Sequence, residues 1–169
     1  GRDTMIVTVT DDEDPTISCV PDQSRSTDVS TCIYTASGTE FDPTATGDNC
    51  SIASVTNDLT GTGTLDGYVF AIGTTNVEWT IEDGVGNTST CSFDVTVNDT
   101  ENPTIFCIAD QVRDTDAGVC TYTASGAEFD PATTGDNCSI TSVTNNLTGT
   151  NTLKGHVFVV STTPVDCTI

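Results

Sequence analysis

The chain has 169 residues, of which 25 are acidic and 4 are basic, so its formal net charge is −21. This excess repels phosphate backbones and anionic membrane surfaces, which excludes nucleic acid as a partner. Thr, Ser, Val, Asp and Gly are abundant, whereas His and Met occur once each. Few residues favour helices, so an all-β chain is predicted.

Eight cysteines occur without Cys-x-x-Cys pairs and with a single histidine. In so short a chain this pattern favours disulfides over zinc or redox sites, and it predicts an extracellular protein, secreted or on the cell surface. No apolar run approaches the roughly 20 residues that a membrane-spanning helix needs, so no membrane span is expected.

In chain order, the first predicted element is a strand within residues 1–10, in which Met5, Val7 and Val9 occupy alternate positions. Residues 11–19 then recur as residues 99–107, and the sequence keeps this offset of 88 residues to its end. Such a repeat indicates one structural unit used twice. It predicts a first domain at residues 11–98 and a second, incomplete domain at residues 99–169.

Two segments of the first repeat, residues 77–82 and 91–97, alternate apolar and polar side chains, which predicts a half-buried antiparallel pair of strands. Turn-forming residues separate them at 83–87, and a further turn is predicted at 41–48. About seven short strands at this spacing predict a two-sheet sandwich. Because Ile169 is the counterpart of Ile81, the expected fold is two tandem immunoglobulin-like β-sandwiches, disulfide-stapled, the second lacking its last strand.

Four motifs resemble those of the hyalin repeat family, an immunoglobulin-like module of extracellular and cell-surface proteins. They are Pro-Thr-Ile-x-Cys at 15–19, Asp-Asn-Cys at 48–50, Gly-Thr-Thr-x-Val at 73–77, and Asp-x-x-Gly-Asn followed by Cys-x-Phe-x-Val-x-Val at 83–97. The second repeat keeps Ser-Thr-Thr-Pro-Val at 161–165 but lacks the final motif. The resemblance implies adhesion, tandem spacing or fibre building, without a catalytic role.

The repeat restricts the cysteine pairings, because equivalent cysteines are expected to pair equivalently. Cys19 and Cys91 lie on the first and last strands of a unit, both on the inward face, and are predicted to form a disulfide. The remaining predicted pairs are Cys32 with Cys50 and, by symmetry, Cys120 with Cys138.

The last two cysteines depart from the repeat. Cys107 has lost its expected partner, and Cys167 occupies the position of Trp79. Either these two cysteines form a disulfide of their own, or both stay as free or intermolecular thiols.

Acidic residues concentrate in segments that are predicted to meet at one pole of each unit. Convergent carboxylates suit Ca²⁺, which takes about six to eight oxygen ligands, so calcium is the candidate cofactor. The alternative is a set of solvated acids that cap turns. The candidate ligands are Asp11, Glu13, Asp14, Asp48 and Asp83 in the first repeat and, at the junction with the second, Asp99, Glu101, Asn102 and Asp136.

An enzyme is not expected, because no nucleophile elbow or phosphate-binding loop is present. The single histidine, His156, is the counterpart of Tyr68 and is expected to fill the same structural position. Trp79 alternates inward with Val77 and Ile81, which favours core packing over a sugar-binding platform.

The predicted function is that of a structural subunit of an extracellular fibre or cell-surface assembly, with a second copy of the chain as partner and other cell-surface components as further candidates. Met5, Val7 and Val9 match the apolar positions of residues 93–97, so this strand is expected to complete the second domain of a neighbour. A head-to-tail polymer would follow. The alternatives are an internal fragment of a long tandem-repeat adhesin and a glycan- or ligand-binding module.

Overall fold

A computed structural model describes all 169 residues, Gly1–Ile169. The chain is all-β and contains no helix, as the composition predicted. It divides into two compact units, Gly1–Thr100 and Glu101–Ile169. No helix long and apolar enough to cross a membrane occurs in it.

The first unit contains a four-stranded sheet with the strand order β2-β8-β7-β5 and two separate two-stranded pairs, β1 with β4 and β3 with β6. Within the large sheet β2 runs parallel to β8, and the other neighbours are antiparallel. The strands are β1 (Thr16–Ser18), β2 (Gln23–Ser26), β3 (Ile33–Thr35), β4 (Ala45–Gly47), β5 (Ile52–Asn57), β6 (Val69–Ala71), β7 (Gly73–Asp83) and β8 (Thr88–Asn98).

The antiparallel pair predicted from alternation is the β7–β8 hairpin. Both strands are 11 residues long, and their inward positions are buried in a strict period of two. Asp83 ends β7, and its Oδ1 accepts hydrogen bonds from the backbone N–H groups of Val85, Gly86 and Asn87. Gly86 has a φ of 102°, a conformation that side chains disfavour, so glycine at this position permits the turn.

The core of the first unit lies between the large sheet and the two small pairs. Trp79 is fully buried with Val77 and Ile81, which confirms its predicted inward direction. The disulfide between Cys19 and Cys91 packs against the same cluster. The buried cluster consists of Ala36, Phe41, Leu65, Phe70, Val77, Trp79, Phe93, Val95 and Val97.

The second unit repeats three of these strand pairings in the same register. Its pairs are β9 with β11, β10 with β13 and β12 with β14, the counterparts of β1 with β4, β3 with β6 and β5 with β7. The strands are β9 (Thr104–Phe106), β10 (Thr121–Thr123), β11 (Thr133–Gly135), β12 (Thr144–Asn145), β13 (Val157–Val159) and β14 (Cys167–Thr168).

Residues 101–169 contain no counterpart of β8, and this changes the rest of the second unit. The segment that corresponds to β2, residues 111–114, forms no strand and is exposed, because β8 is the only strand with which β2 pairs. Phe129 and Phe158 are half-buried, whereas their counterparts Phe41 and Phe70 are each 1% exposed. The second unit therefore has a much smaller buried core than the first.

Candidate functional site

Three acidic residues converge at one end of the first unit. Asp11 precedes β1, Asp48 follows β4 and Asp83 ends β7. One carboxylate oxygen from each of these residues lies within 4.8 Å of the other two. We call this group the acidic triad. Of the other acids predicted for this pole, Glu13 and Asp14 are exposed and do not belong to it.

Asp83 is the buried member of the acidic triad, with 1% of its surface exposed. Burial by itself would raise the pKa of this carboxyl, but the turn that follows β7 reverses the effect. Three backbone N–H groups and the Nδ2 of Asn87, at 2.8 Å from Oδ2, donate hydrogen bonds to it. These bonds hold the pKa of Asp83 below its usual range, so the residue is a buried carboxylate.

Asp11 and Asp48 are held by the turn between β4 and β5. The Nδ2 of Asn49 donates a hydrogen bond to Asp11 Oδ1 at 3.2 Å, and this bond, with those from the Cys50 thiol and the Glu13 N–H, lowers the pKa of Asp11. Asp48 Oδ2 accepts the backbone N–H groups of Cys50 and Ser51 at 2.9 and 2.7 Å. Its other oxygen, Oδ1, is buried and has no hydrogen-bond partner.

No positive side chain compensates the acidic triad. Arg25 pairs with Glu40 and Arg113 pairs with Glu128, so neither guanidinium forms an ion pair with the triad. Carboxylates this close repel one another, and a buried oxygen without a partner costs free energy. A divalent cation would relieve both, since Ca²⁺ binds carboxylate oxygens from several chain segments. The triad is thus chemically suited to a hard cation.

The second predicted set of cation ligands, at the junction of the repeats, reproduces only part of the acidic triad. Asp136 lies in the turn of the second unit that corresponds to the Asp48 turn, and its Oδ2 accepts the backbone N–H groups of Cys138 and Ser139 at 3.0 and 2.8 Å. Asp99 belongs to the first unit, and Glu101 to the second. Cation binding by this set stays a prediction.

One of the predicted disulfides is formed as expected. Cys19 and Cys91 are bonded, with their Cα atoms 5.8 Å apart and a sequence separation of 72. The bridge joins the segment that follows β1 to β8 across the core. Inward alternation of both cysteines was sufficient to identify this pair.

The predicted pairs Cys32–Cys50 and Cys120–Cys138 are wrong in this structure, because Cys50 and Cys120 are free thiols. Cys50 lies in the Asp48 turn, where its thiol is hydrogen-bonded to Asp11; this contact raises the pKa of the thiol. Cys32 precedes β3, which pairs with β6 rather than with the strands that flank this turn. The Cys120–Cys138 pair was predicted by symmetry from Cys32–Cys50, so it is wrong for the same reason. Cys32 and Cys138 are not free thiols.

The second unit contains a pocket that we call the open groove. Its apolar lining residues are Phe129, Pro131, Val143, Leu153 and Cys167, and its polar lining residues are Asp130, Thr144, Asn145 and Asn151. In the first unit the counterpart of Phe129, Phe41, stacks on Phe93 of β8 with 6.2 Å between ring centroids. Phe129 keeps its contacts with Tyr122 and Phe158, but residues 101–169 offer no equivalent of Phe93. The groove thus occupies the place that β8 fills in the first unit.

Residues 1–10, the predicted assembly strand, form no strand and are exposed. The exposed fractions of Met5, Val7 and Val9 are 85%, 71% and 91%. Three apolar side chains at alternate positions of this segment are therefore in contact with water.

A cluster that the sequence analysis did not single out recurs in both units. Arg25 donates to Glu40 at 3.1 Å, Tyr34 donates its hydroxyl to the same carboxylate at 2.7 Å, and the guanidinium lies 5.2 Å from the ring centroid of Phe41. The signal was available, since two of only 4 basic residues recur at the repeat offset. The second copy consists of Arg113, Glu128, Tyr122 and Phe129.

His156 contributes to packing as expected. Its ring meets Phe158 edge-on at 4.7 Å, and Tyr68 meets Phe70 in the same way at 4.8 Å. The two residues fill one structural position in the two units.

Comparison with known proteins identifies the module. The chain matches no curated protein and no solved structure. The HYR domain profile matches residues 10–97, more than half of the chain. This is a non-catalytic, adhesion-type domain of extracellular and cell-surface proteins, which agrees with the Cys19–Cys91 disulfide. The first unit, with its β7–β8 hairpin and inward cysteines, is one such domain, and the chain belongs to the HYR (hyalin repeat) family.

Proposed function

We propose that this chain is a structural subunit of an extracellular fibre or cell-surface assembly, in which residues 5–9 of one molecule complete the second unit of a neighbour. The observation that carries the proposal is the open groove. Its apolar lining residues correspond to Phe41, Pro43, Val55, Leu65 and Trp79, and four of these five belong to, or pack against, the first-unit core cluster that contains Phe93 and Val95.

The donor segment has the side-chain pattern that the open groove requires. Met5, Val7 and Val9 align with the inward positions 93, 95 and 97 of β8, all of which are buried in the first unit. Burial of an exposed valine stabilises a complex by about 1.5–3 kcal/mol before entropic costs. An added strand also pairs backbone groups that are otherwise unpaired at a sheet edge.

Strand addition would order more than the groove itself. In the first unit β2 is held by its parallel pairing with β8, from Gln23 with Val95 to Ser26 with Asn98. Residues 111–114 of the second unit correspond to β2 and do not pair with a strand equivalent to β8. A docked donor segment would supply one, so two strands would form in a single binding event.

We also propose that the acidic triad binds Ca²⁺. The proximity of three carboxylates and the unpartnered, buried Oδ1 of Asp48 support this. With a net charge of −21, a bound cation would also reduce repulsion within and between subunits.

A second candidate is a tandem array, in which the strand that fills the open groove comes from the same polypeptide and residues 5–9 belong to a preceding repeat. The close match of residues 5–9 to the end of β8 favours this arrangement as well. The two candidates differ in what the 169-residue chain does by itself: a subunit with a donor strand polymerises, whereas a piece of an array stays monomeric.

The test is self-association of the chain, measured by light scattering and electron microscopy at physiological ionic strength or above, where charge repulsion is screened. Filaments are expected from the unmodified chain and monomers after deletion of residues 1–10. Val7→Asp, on the inward face, should prevent assembly, while the matched variant Thr8→Asp, on the opposite face, should not.

A second variant carries a copy of residues 82–98 after Ile169, so that the second unit has its own last strand. It is expected to be monomeric. Filaments from this variant, or from the deletion variant, would contradict assembly by strand donation, and monomers from the unmodified chain would favour the tandem array.

A further inference from the structure

The second unit carries a pair of thiols whose position follows from the strand register of the first. In β7 and β8, Trp79 lies directly opposite Cys91, and Cys91 is bonded to Cys19. On its other side Trp79 pairs with Asn57 of β5. Trp79 is thus one strand away from the position at which Cys19 is bonded.

The second unit has cysteine at two of these positions. Cys107 follows β9 as Cys19 follows β1, and Cys167 pairs with Asn145 in the register that joins Trp79 to Asn57. A cysteine on β14 therefore lies one strand from the position of Cys91, within reach of Cys107.

The two side chains are in contact. The thiols of Cys107 and Cys167 are hydrogen-bonded to each other, and Cys107 is exposed while Cys167 is half-buried at the edge of the open groove. Burial is the larger cause and this hydrogen bond the next of a raised pKa for the Cys167 thiol. The exposed Cys107 is then the thiol that an oxidant meets first.

We propose that Cys107 and Cys167 close into a disulfide that replaces, within the second unit, the bridge that Cys19 and Cys91 form in the first. The bond would connect the end of β9 to β14 without any residue from a β8 strand. It does not depend on the proposed assembly, because both cysteines belong to the second unit.

The oxidant is a low-molecular-weight disulfide such as oxidised glutathione. The Cys107 thiolate attacks one sulfur of that disulfide and releases the first thiolate. Cys167 then loses its proton and attacks the Cys107 sulfur of the mixed disulfide, which releases the second thiolate. Two protein thiols are oxidised to one disulfide, one glutathione disulfide is reduced to two thiols, and the two protons pass to the released thiolates.

The bridge is compatible with a docked donor segment. Alignment with β8 places Asp3, and not a cysteine, at the position of Cys91. A strand of that sequence leaves Cys107 free to remain bonded to Cys167.

The experiment uses the full chain at low concentration in glutathione buffers of increasing oxidising strength, followed by acid quenching, alkylation and peptide mapping without reduction. We expect a cross-linked peptide pair that contains Cys107 and Cys167 and loss of both residues from the alkylated fraction. With Cys167→Ser, Cys107 should instead accumulate as the glutathione mixed disulfide, because the resolving thiol is absent. With Cys120→Ser, a matched variant of another free thiol in the same unit, the cross-linked pair should be unchanged.

The oxidised chain should also protect β14 amides from hydrogen exchange at least tenfold more than the Cys167→Ser variant does. Two outcomes would overturn the proposal. The first is that Cys107 and Cys167 are both still alkylated, and therefore reduced, in buffers in which the Cys19–Cys91 disulfide is fully formed. The other is a cross-link of Cys107 to any residue except Cys167.

Discussion

Trp79 of β7 lies directly opposite Cys91 of β8, and both belong to the core of the first unit. The second unit has Cys167 at the position of Trp79 and no counterpart of Cys91 within residues 101–169. Trp79 is the only tryptophan of the chain and is fully buried. Its fluorescence therefore reports the folding of the first unit alone, which allows the two repeats to be compared within one molecule.

Truncation of equivalent phenylalanines should affect the two units unequally. Phe41 is 1% exposed and touches three aromatic rings, whereas Phe129 is half-buried and lacks a neighbour at the position of Phe93. Phe41→Ala is expected to lower the free energy of unfolding by about 3–5 kcal/mol, as for other buried phenylalanines, and Phe129→Ala by clearly less. Urea unfolding followed by Trp79 fluorescence measures the first, and hydrogen exchange of the second unit measures the other. Equal losses would contradict the difference in core packing.

Calcium should stabilise the first unit through the acidic triad. At a free Ca²⁺ concentration of about 100 times Kd, binding to the folded state alone adds about 2.7 kcal/mol to the free energy of unfolding. The expected signal is a higher unfolding midpoint in the Trp79 fluorescence trace and heat release in calorimetric titration. Asp48→Asn should abolish both effects, because it removes one of the three negative charges of the triad, the one on the carboxylate that carries the unpartnered oxygen Oδ1.

The matched control for calcium is Asp12→Asn, which removes one exposed charge from the same segment as Asp11. It should leave the response nearly unchanged. If Ca²⁺ gives neither heat nor a midpoint shift in the unmodified chain, the triad is a set of turn-capping acids and not a cation site.

Acid should selectively weaken the contribution of Asp83. Its pKa is below the ordinary value of 3.8, so the unfolded chain binds the proton more tightly than the folded one. The stabilisation is therefore complete well above pH 3.8 and is lost as pH falls from there through the lower, folded-state pKa. We expect the difference in unfolding free energy between the unmodified chain and Asp83→Asn to be constant near neutral pH and to shrink below about pH 4.

The comparison must be a difference between variants, measured in chelator, because protonation of the many other acids also relieves the repulsion that comes with a net charge of −21. Asp12→Asn again serves as the control, and its difference from the unmodified chain should show no comparable loss in this window. A pH-independent difference for Asp83→Asn would show that the carboxylate makes no special contribution to the turn.

Local sequence patterns determined a large part of this structure. Alternation over residues 77–82 and 91–97 identified the β7–β8 hairpin, its buried face and the Cys19–Cys91 bridge. This was possible because successive side chains of a strand point to opposite faces, so the buried face can be read from the local sequence. The repeat offset of 88 residues likewise identified equivalent strands and the shared position of Tyr68 and His156.

Only the tertiary structure decided which distant residues meet. Five acids were candidates at one pole of the first unit, but just Asp11, Asp48 and Asp83 converge, because the turn after β4 and the end of β7 face the segment before β1. The same turn directs the Cys50 thiol to Asp11. The pairing of cysteines by equivalence between the repeats did not predict this contact. The parallel pairing of β2 with β8 joins segments about 70 residues apart, and no local pattern encodes such a partner. Contacts of this kind depend on how the strands pack, which a one-dimensional pattern does not contain.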